Sequence, residues 1–264
     1  MKVTFWGTRG SYPQTSPDFK ILGADTCSIE LSVGEERLII DGGTGLNHVT
    51  PSEGLDTILL SHYHLDHIFG LPVFFTQKKN GRILLMSGMG QSNSDIENAL
   101  GTVFGGPGFP VSLKTIFPKT SFFHLPINKP FDHGPWNIVA HTLNHPGGAT
   151  GYRIRHQKSK FDVTYLLDHE HQNSIEKSLI EFAYKSSLLV WDACYDDCEY
   201  HKYKGFGHST WQEGLIFSKQ ASCTYTSLIG HSFHRTDSQA YTIRKNIKDP
   251  NVFLANDRQV FTIR

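Results

Sequence analysis

Three histidines and one aspartate fall within six residues in Ser61-His62-Tyr63-His64-Leu65-Asp66-His67. Imidazole and carboxylate donors together suit zinc, manganese or iron. The cluster follows the buried-strand pattern Thr57-Ile58-Leu59-Leu60. Alternate histidines leaving a strand end in a tight loop can converge on one metal, and Asp66 and His67 then face a neighbouring position. One cluster cannot fill two coordination shells, so further donors must come from other strand ends. His145 lies in the turn-rich Leu143-Asn144-His145-Pro146-Gly147-Gly148, Asp168 ends the apolar run Tyr165-Leu166-Leu167, and His231 follows Ser227-Leu228-Ile229-Gly230. A lone histidine is more often a structural hydrogen-bonding residue, but beside the cluster these three become candidate ligands. The chain holds 15 histidines spread along its length rather than in a tag, which fits metal chemistry.

The elements that must position these donors read as strands first. Val3–Trp6, Ser28–Val33 and Arg37–Ile40 form a β-meander, followed by 57–61 and 82–86. Residues 91–104 read as a helix with Ser94 or Asp95 as cap, and 105–110 (Gly-Gly-Pro-Gly-Phe-Pro) as a loop, a candidate flap. Strand patterns return at 136–140, 151–155, 161–167 and 188–191. Helical stripes cover 174–186, capped by Asn173 or Ser174, then 209–220 and 237–247. The chain is expected to close on a strand pair around Asn256-Asp257. Strands then helix, twice over, predicts an α/β sandwich of two sheets covered by helices in one domain, residues 1–264.

Composition bounds the function. Of 264 residues, 38% are hydrophobic and 19% charged, as in a folded globular chain, and Lys+Arg and Asp+Glu are both 25, which argues against a broad basic surface for duplex nucleic acid. Met1–Phe5 leads into a strand without an apolar leader, no apolar run reaches a membrane span, and the four cysteines form no C-x-x-C pair. A cytoplasmic protein with reduced thiols is expected.

With these motifs the chain resembles the metallo-β-lactamase superfamily, and within it the tRNase Z-like and cyclic-phosphodiesterase-like hydrolases. The resemblance runs from Ile39-Ile40-Asp41-Gly42-Gly43, through the His-x-His-x-Asp-His cluster, to His145, Asp168 and His231. The opening Phe5-Trp6-Gly7-Thr8-Arg9-Gly10-Ser11 is similar to a bacterial subgroup. It implies an αββα sandwich of two mixed sheets with two divalent metals at one edge, zinc first and manganese or iron as alternatives. His62, His64 and His145 would hold one, Asp66, His67 and His231 the second, and Asp168 would bridge them. Asp41 would steady the cluster loop without touching metal.

In the tRNase Z-like enzymes an acidic residue of a His-Glu-Ala-Thr segment pairs with a histidine of a Gly-His-Ser-Thr segment that points at the scissile phosphate. Asp192 in Trp191-Asp192-Ala193-Cys194 and His208 in Gly207-His208-Ser209-Thr210 match those positions, although Trp-Asp replaces His-Glu. The expected chemistry is metal-assisted hydrolysis, with Asp66, His208 and Asp192 serving the reaction. Ser209 and Thr210 can also simply cap a helix. No basic, Gly-rich arm for gripping tRNA is found, since 88–110 carries no Lys or Arg. That favours a small phosphodiester such as a cyclic nucleotide over stable nucleic-acid binding. Hydrolysis of a carboxylic ester, thioester, lactone or β-lactam on the same fold, a non-catalytic metal sensor, and a flavodiiron-type oxidase are the alternatives. The last lacks its acidic replacement in the cluster. By analogy a homodimer is expected.

Overall fold

A computed structural model describes residues 1–171 and 177–263. Its first sheet is ordered β14-β1-β2-β3-β4-β5-β6. These are β1 (Lys2–Gly7), β2 (Ser28–Val33), β3 (Glu36–Ile40), β4 (Leu55–Leu60), β5 (Arg82–Ser87), β6 (Thr120–His124) and β14 (Gln259–Thr262). The second sheet is ordered β13-β12-β11-β10-β9-β8-β7. It holds β7 (Pro130–His133), β8 (Trp136–Leu143), β9 (Ala149–His156), β10 (Asp162–Leu166), β11 (Leu188–Asp192), β12 (Tyr225–Ile229) and β13 (Val252–Leu254). Each sheet is antiparallel on one side and parallel on the other, with β3 to β6 parallel in the first and β10 to β13 in the second.

Strand alternation builds three apolar layers. Leu59 of β4 and Val190 of β11 point between the sheets, where they meet Phe5, Ile29, Tyr152 and Tyr165. Their neighbours Ile58 and Leu60 face outward onto Phe74 and Phe75 of α2 (Leu71–Gln77), which follows the single turn α1 (Leu65–Ile68). Ile96 and Leu100 of α3 (Asn93–Val103) and Leu113 of α4 (Leu113–Ile116) join this layer. On the far side, Leu189 and Trp191 pack against α5 (Lys177–Ala183), α7 (Trp211–Gln220) and α8 (Asp237–Asn246), and α6 (Asp197–Tyr200) is a short turn after β11. Strands covered on both faces read as continuous apolar runs, and each buried Leu or Phe contributes roughly 1.5–3 kcal/mol. The four layers are the expected αββα sandwich.

Several elements depart from expectation. Asn256-Asp257 do not join a strand pair: β13 lies in the second sheet and β14 in the first, so these residues cross between sheets. Ser92, not Ser94 or Asp95, caps α3, while Asp95 reaches back to complete a capping box. The predicted start of the 174–186 helix, with its cap, lies outside the described residues. The loop 105–110 folds back on α3, with the Gly105 amide donating to the Phe109 carbonyl and Phe109 edge-on at 5.3 Å against the buried Phe104.

Under β4, the fully buried Asp56 side chain takes Lys78 Nζ at 2.8 Å and Arg37 Nη2 at 2.5 Å. Burial alone would raise its pKa, but the hydrogen bonds and charges of Lys78 and Arg37 outweigh that and hold it below the usual carboxylate range. A depressed acid stabilises the fold above its unfolded pKa of about 4, and that contribution disappears as pH falls through the folded value. Asp56→Asn, which leaves the buried Lys78 ammonium bonded to the Ser52 and Gly54 carbonyls but without its counter-charge, is expected to cost about 3–5 kcal/mol in denaturant unfolding near neutral pH. It should also flatten the acid limb of stability against pH. An acid limb as steep as wild type would contradict this.

Candidate metal centre

The candidate donors converge at the carboxyl ends of the central strands, where open α/β sheets characteristically bind ligands. Asp41 follows β3, His62 to His67 follow β4, His145 sits in the β8–β9 turn, Asp168 follows β10 and Asp192 ends β11. Asp41 and Asp168 both take left-handed backbone, with φ of 60° and 58°. Such conformations in non-glycine residues cost energy and concentrate at functional sites.

Three donor groups share Asp168: His62, His64, His145 and Asp168 form the first, Asp66, His67 and Asp168 the second, and Asp168 with Asp192 and His208 a third set adjoining these two. In the first, His145 Nε2 lies 3.0 Å from His64 Nδ1, and Asp168 Oδ2 lies 3.4 Å from His62 Nε2 and 3.5 Å from His145 Nε2. In the second, His67 Nε2 stands 3.3 Å from both Asp66 Oδ2 and Asp168 Oδ1. Four donors at the usual zinc bond lengths of about 2.0–2.2 Å sit about 3.3–3.5 Å apart on the edges of a tetrahedron. The observed spacing fits such a cradle. Among the described residues His62 Nε2, His67 Nε2 and Asp168 Oδ1 are moreover buried without a hydrogen-bond partner, an arrangement costly in a protein unless a cation satisfies it. Burial, then His67, pushes His62 well below its ordinary pKa, so it offers a neutral nitrogen. At His67 burial is overcome by Asp168, Asp66 and Asp41, which raise it well above. That excess of carboxylate charge is suited to a bound cation.

The surrounding residues fix these donors. Asp41 Oδ2 takes His67 Nδ1 at 2.8 Å, the Ser61 hydroxyl at 2.8 Å and the Tyr165 hydroxyl at 2.6 Å, while Oδ1 accepts the Ser61 amide. His67 therefore presents Nε2 to the centre. The Ser11 amide donates to Asp66 Oδ2 at 2.6 Å. Asp41→Asn is expected to weaken metal binding about 10–100-fold in chelator competition, with the fold retained, since asparagine also tolerates left-handed backbone. Unchanged affinity would remove the orienting role.

His231 stands apart. It is fully buried after β12, but its Nε2 donates to the Ala255 carbonyl at 2.9 Å, and it belongs to none of these donor groups among the described residues. The end of β13 occupies one ring nitrogen, and Nδ1 remains buried without a partner. The other six predicted ligands come together.

Beside the first group, His208 Nδ1 lies 2.8 Å from Asp192 Oδ2 and 4.0 Å from Asp168 Oδ1. Burial would lower the His208 pKa, but Asp192, then Asp168, raise it to about 9. The predicted pair is thus formed, despite the Trp-Asp departure. Thr210 also caps α7, so the segment does both jobs. The loop carrying His208 is tied to the donors: His145 Nδ1 donates to the Gly207 carbonyl at 2.8 Å. Gly207 has φ of 87°, and a Cβ there would fall 2.1 Å from His145 Nδ1, so the position requires glycine. Glu170 holds the same loop by accepting the Gly205 and Gly207 amides at 2.8 Å. Glu170 carried no sequence signal, and Ser11 stood only in the Phe5–Ser11 segment with no role assigned, because both contacts run through backbone amides of distant segments. His169 is buried against Trp191, and its amide donates to Asp192 at 3.3 Å; His171 bonds Ser209 at 2.7 Å.

The model of the β-lactamase superfamily domain matches residues 36–231. The chain is 26% identical over 180 residues to a ribonuclease Z of Staphylococcus saprophyticus, covering 64% of this chain and 54% of that one, so it spans about half of that relative's length. A ribonuclease Z of Clostridium kluyveri is 24% identical over 314 aligned positions, covering 100% of this chain and 98% of its own. The crystal structure of the metallo-β-lactamase fold protein YhfI from Bacillus subtilis superposes with a TM-score of 0.75 at 22% identity, covering 99% of each chain.

Proposed function

The chain belongs to the β-lactamase superfamily, and from that membership we propose that it is a metal-dependent phosphodiesterase acting on a small phosphodiester such as a cyclic nucleotide. The observation that carries this reading is the His208–Asp192 pair, at 2.8 Å, set against the paired donor groups. His62, His64, His145 and Asp168 would hold one divalent ion, and Asp66, His67 and Asp168 a second. His231 is the natural further donor to the second through its unpartnered Nδ1. Zinc suits the donor set best, with manganese or iron next.

Bound there, two divalent ions would supply an activated water near neutral pH and neutralise charge on the phosphoryl oxygens. Asp192 fixes the His208 ring through Nδ1, leaving Nε2 for the substrate. As the water oxygen bonds to phosphorus and the ester bond breaks, His208 gives a proton to the departing oxygen. Ser11 keeps Asp66 oriented, and Glu170 with Gly207 keeps the His208 loop on His145. The two relatives bearing the name ribonuclease Z support a phosphodiester as the bond cleaved. The absence of Lys and Arg from 88–110 supports a small substrate over a gripped RNA.

A panel of bis-p-nitrophenyl phosphate, cyclic nucleotides, a lactone, a thioester and a chromogenic β-lactam tests the class. Phosphodiester turnover exceeding all the acyl substrates is expected. Acyl hydrolysis without phosphodiester turnover would overturn it and leave the His208–Asp192 pair without a role.

A further inference from the structure

A cleft of about 320 Å³ opens beside the metal centre, lined by His208 at one point and by Ser11, the residue that orients Asp66, at another. Its walls are aromatic and come from two loops. After β11, Tyr203 stacks flat on Tyr195 at 4.4 Å and 3°, with Phe206 edge-on at 5.9 Å and 60% exposed. After β12, Phe233 lies 3.9 Å from the His234 ring and 6.1 Å from Tyr12. Large aromatic rings left exposed beside a reaction centre offer stacking surface to a planar ligand.

The charge of the cleft narrows the ligand. Among the described residues Arg235 is the one Lys or Arg lining it, and its guanidinium is committed to the Ala193 and Cys194 carbonyls, while the His208 cation is paired with Asp192 and serves the departing oxygen. Glu199 adds a carboxylate. Beyond His208 a second phosphate would meet that carboxylate and no uncommitted Lys or Arg, so the group entering here is uncharged. Two polar side chains give the cleft a hydrogen-bonding edge. Glu199 is an acceptor, and Gln239, whose Oε1 takes the Thr236 amide at 2.9 Å, has its amide NH₂ available as a donor. A flat ring bearing both donors and acceptors on its rim answers both. The volume lies at the low end of small-ligand pockets, which run roughly 300–1,000 Å³, and so suits one nucleoside rather than an oligonucleotide.

We infer that this cleft is a nucleobase subsite, holding the base of a mononucleotide substrate on its leaving-group side, with Phe206 and Phe233 as the stacking residues. The inference rests on the phosphodiesterase reading for its orientation, since His208 serves the departing oxygen and lines the same cleft.

Saturation-transfer NMR with adenosine and with ribose, on metal-loaded wild type, Phe206→Ala and Phe233→Ala, tests it without turnover. Adenosine should bind, ribose should not, and each variant should weaken adenosine about tenfold. In parallel, the kcat/KM ratio for a cyclic nucleotide over its base-free ribose cyclic phosphate should fall about tenfold in the variants, through KM. Adenosine binding no better than ribose, or equally well in wild type and both variants, would overturn the subsite. Adenosine binding that follows the expected pattern in a protein without phosphodiester turnover would keep the subsite and remove the phosphodiesterase reading instead.

Discussion

Asp168→Asn is expected to lower phosphodiester turnover at least about a thousandfold and to leave the purified protein with fewer than two metal ions per chain. Asp168 is the residue common to every donor group among the described residues. Its Oδ2 faces His62 and His145, and its Oδ1 faces His67, so one carboxylate would serve both halves of the proposed centre. Asparagine keeps the shape and tolerates the left-handed backbone at φ of 58°, which alanine would not. The change therefore removes charge and one donor oxygen while sparing the fold. Metal catalysis supplies several kcal/mol of transition-state stabilisation, and about 1.4 kcal/mol is tenfold in rate, hence the expected size. Metal analysis after gel filtration, thermal unfolding and turnover are the readouts. A folded variant with two metals and wild-type turnover would contradict the shared-ligand role.

His208→Ala should separate chemistry from metal binding. Its Nδ1 is held by Asp192, and although it forms a set with Asp168 and Asp192 it lies outside the two proposed metal positions, so metal content should stay at the wild-type level. The loss of general acid catalysis is expected to lower kcat by about 10²–10⁴-fold. Substrates with a good leaving group, such as p-nitrophenolate, should suffer least, because they need no proton to depart. A structural role would instead slow good and poor leaving groups alike. A variant that loses metal, or keeps its full rate on a poor leaving group, would remove His208 from the reaction.

The candidate donors were legible in the sequence because the cluster and Asp168 follow apolar runs, and an apolar run that stops at His or Asp is a strand ending at a sheet edge, while His145 lies in a turn-rich stretch just after a strand. That pattern placed His62 to His67, His145 and Asp168, and with Asp192 and His208 the geometry agrees. It was insufficient at His231, since periodicity marks where a side chain emerges but not that the neighbouring Ala255 carbonyl takes a ring nitrogen. The same limit hid the crossing at Asn256-Asp257: two short strands look alike whether they pair with each other or with different sheets. Glu170, the role of Ser11 and the aromatic cleft left no trace, because backbone-amide contacts and facing loops have no periodic signature. Asp41 was recognised as an orienting residue, and the structure adds Ser61 and Tyr165 to its partners.

The most direct test of the proposed two-metal phosphodiesterase function is titration of the chelator-stripped protein with zinc or manganese, following bis-p-nitrophenyl phosphate hydrolysis and metal content together. Two ions per chain should bind, and activity absent from the stripped protein should return with them. A protein that holds two ions and hydrolyses no phosphodiester would contradict the account.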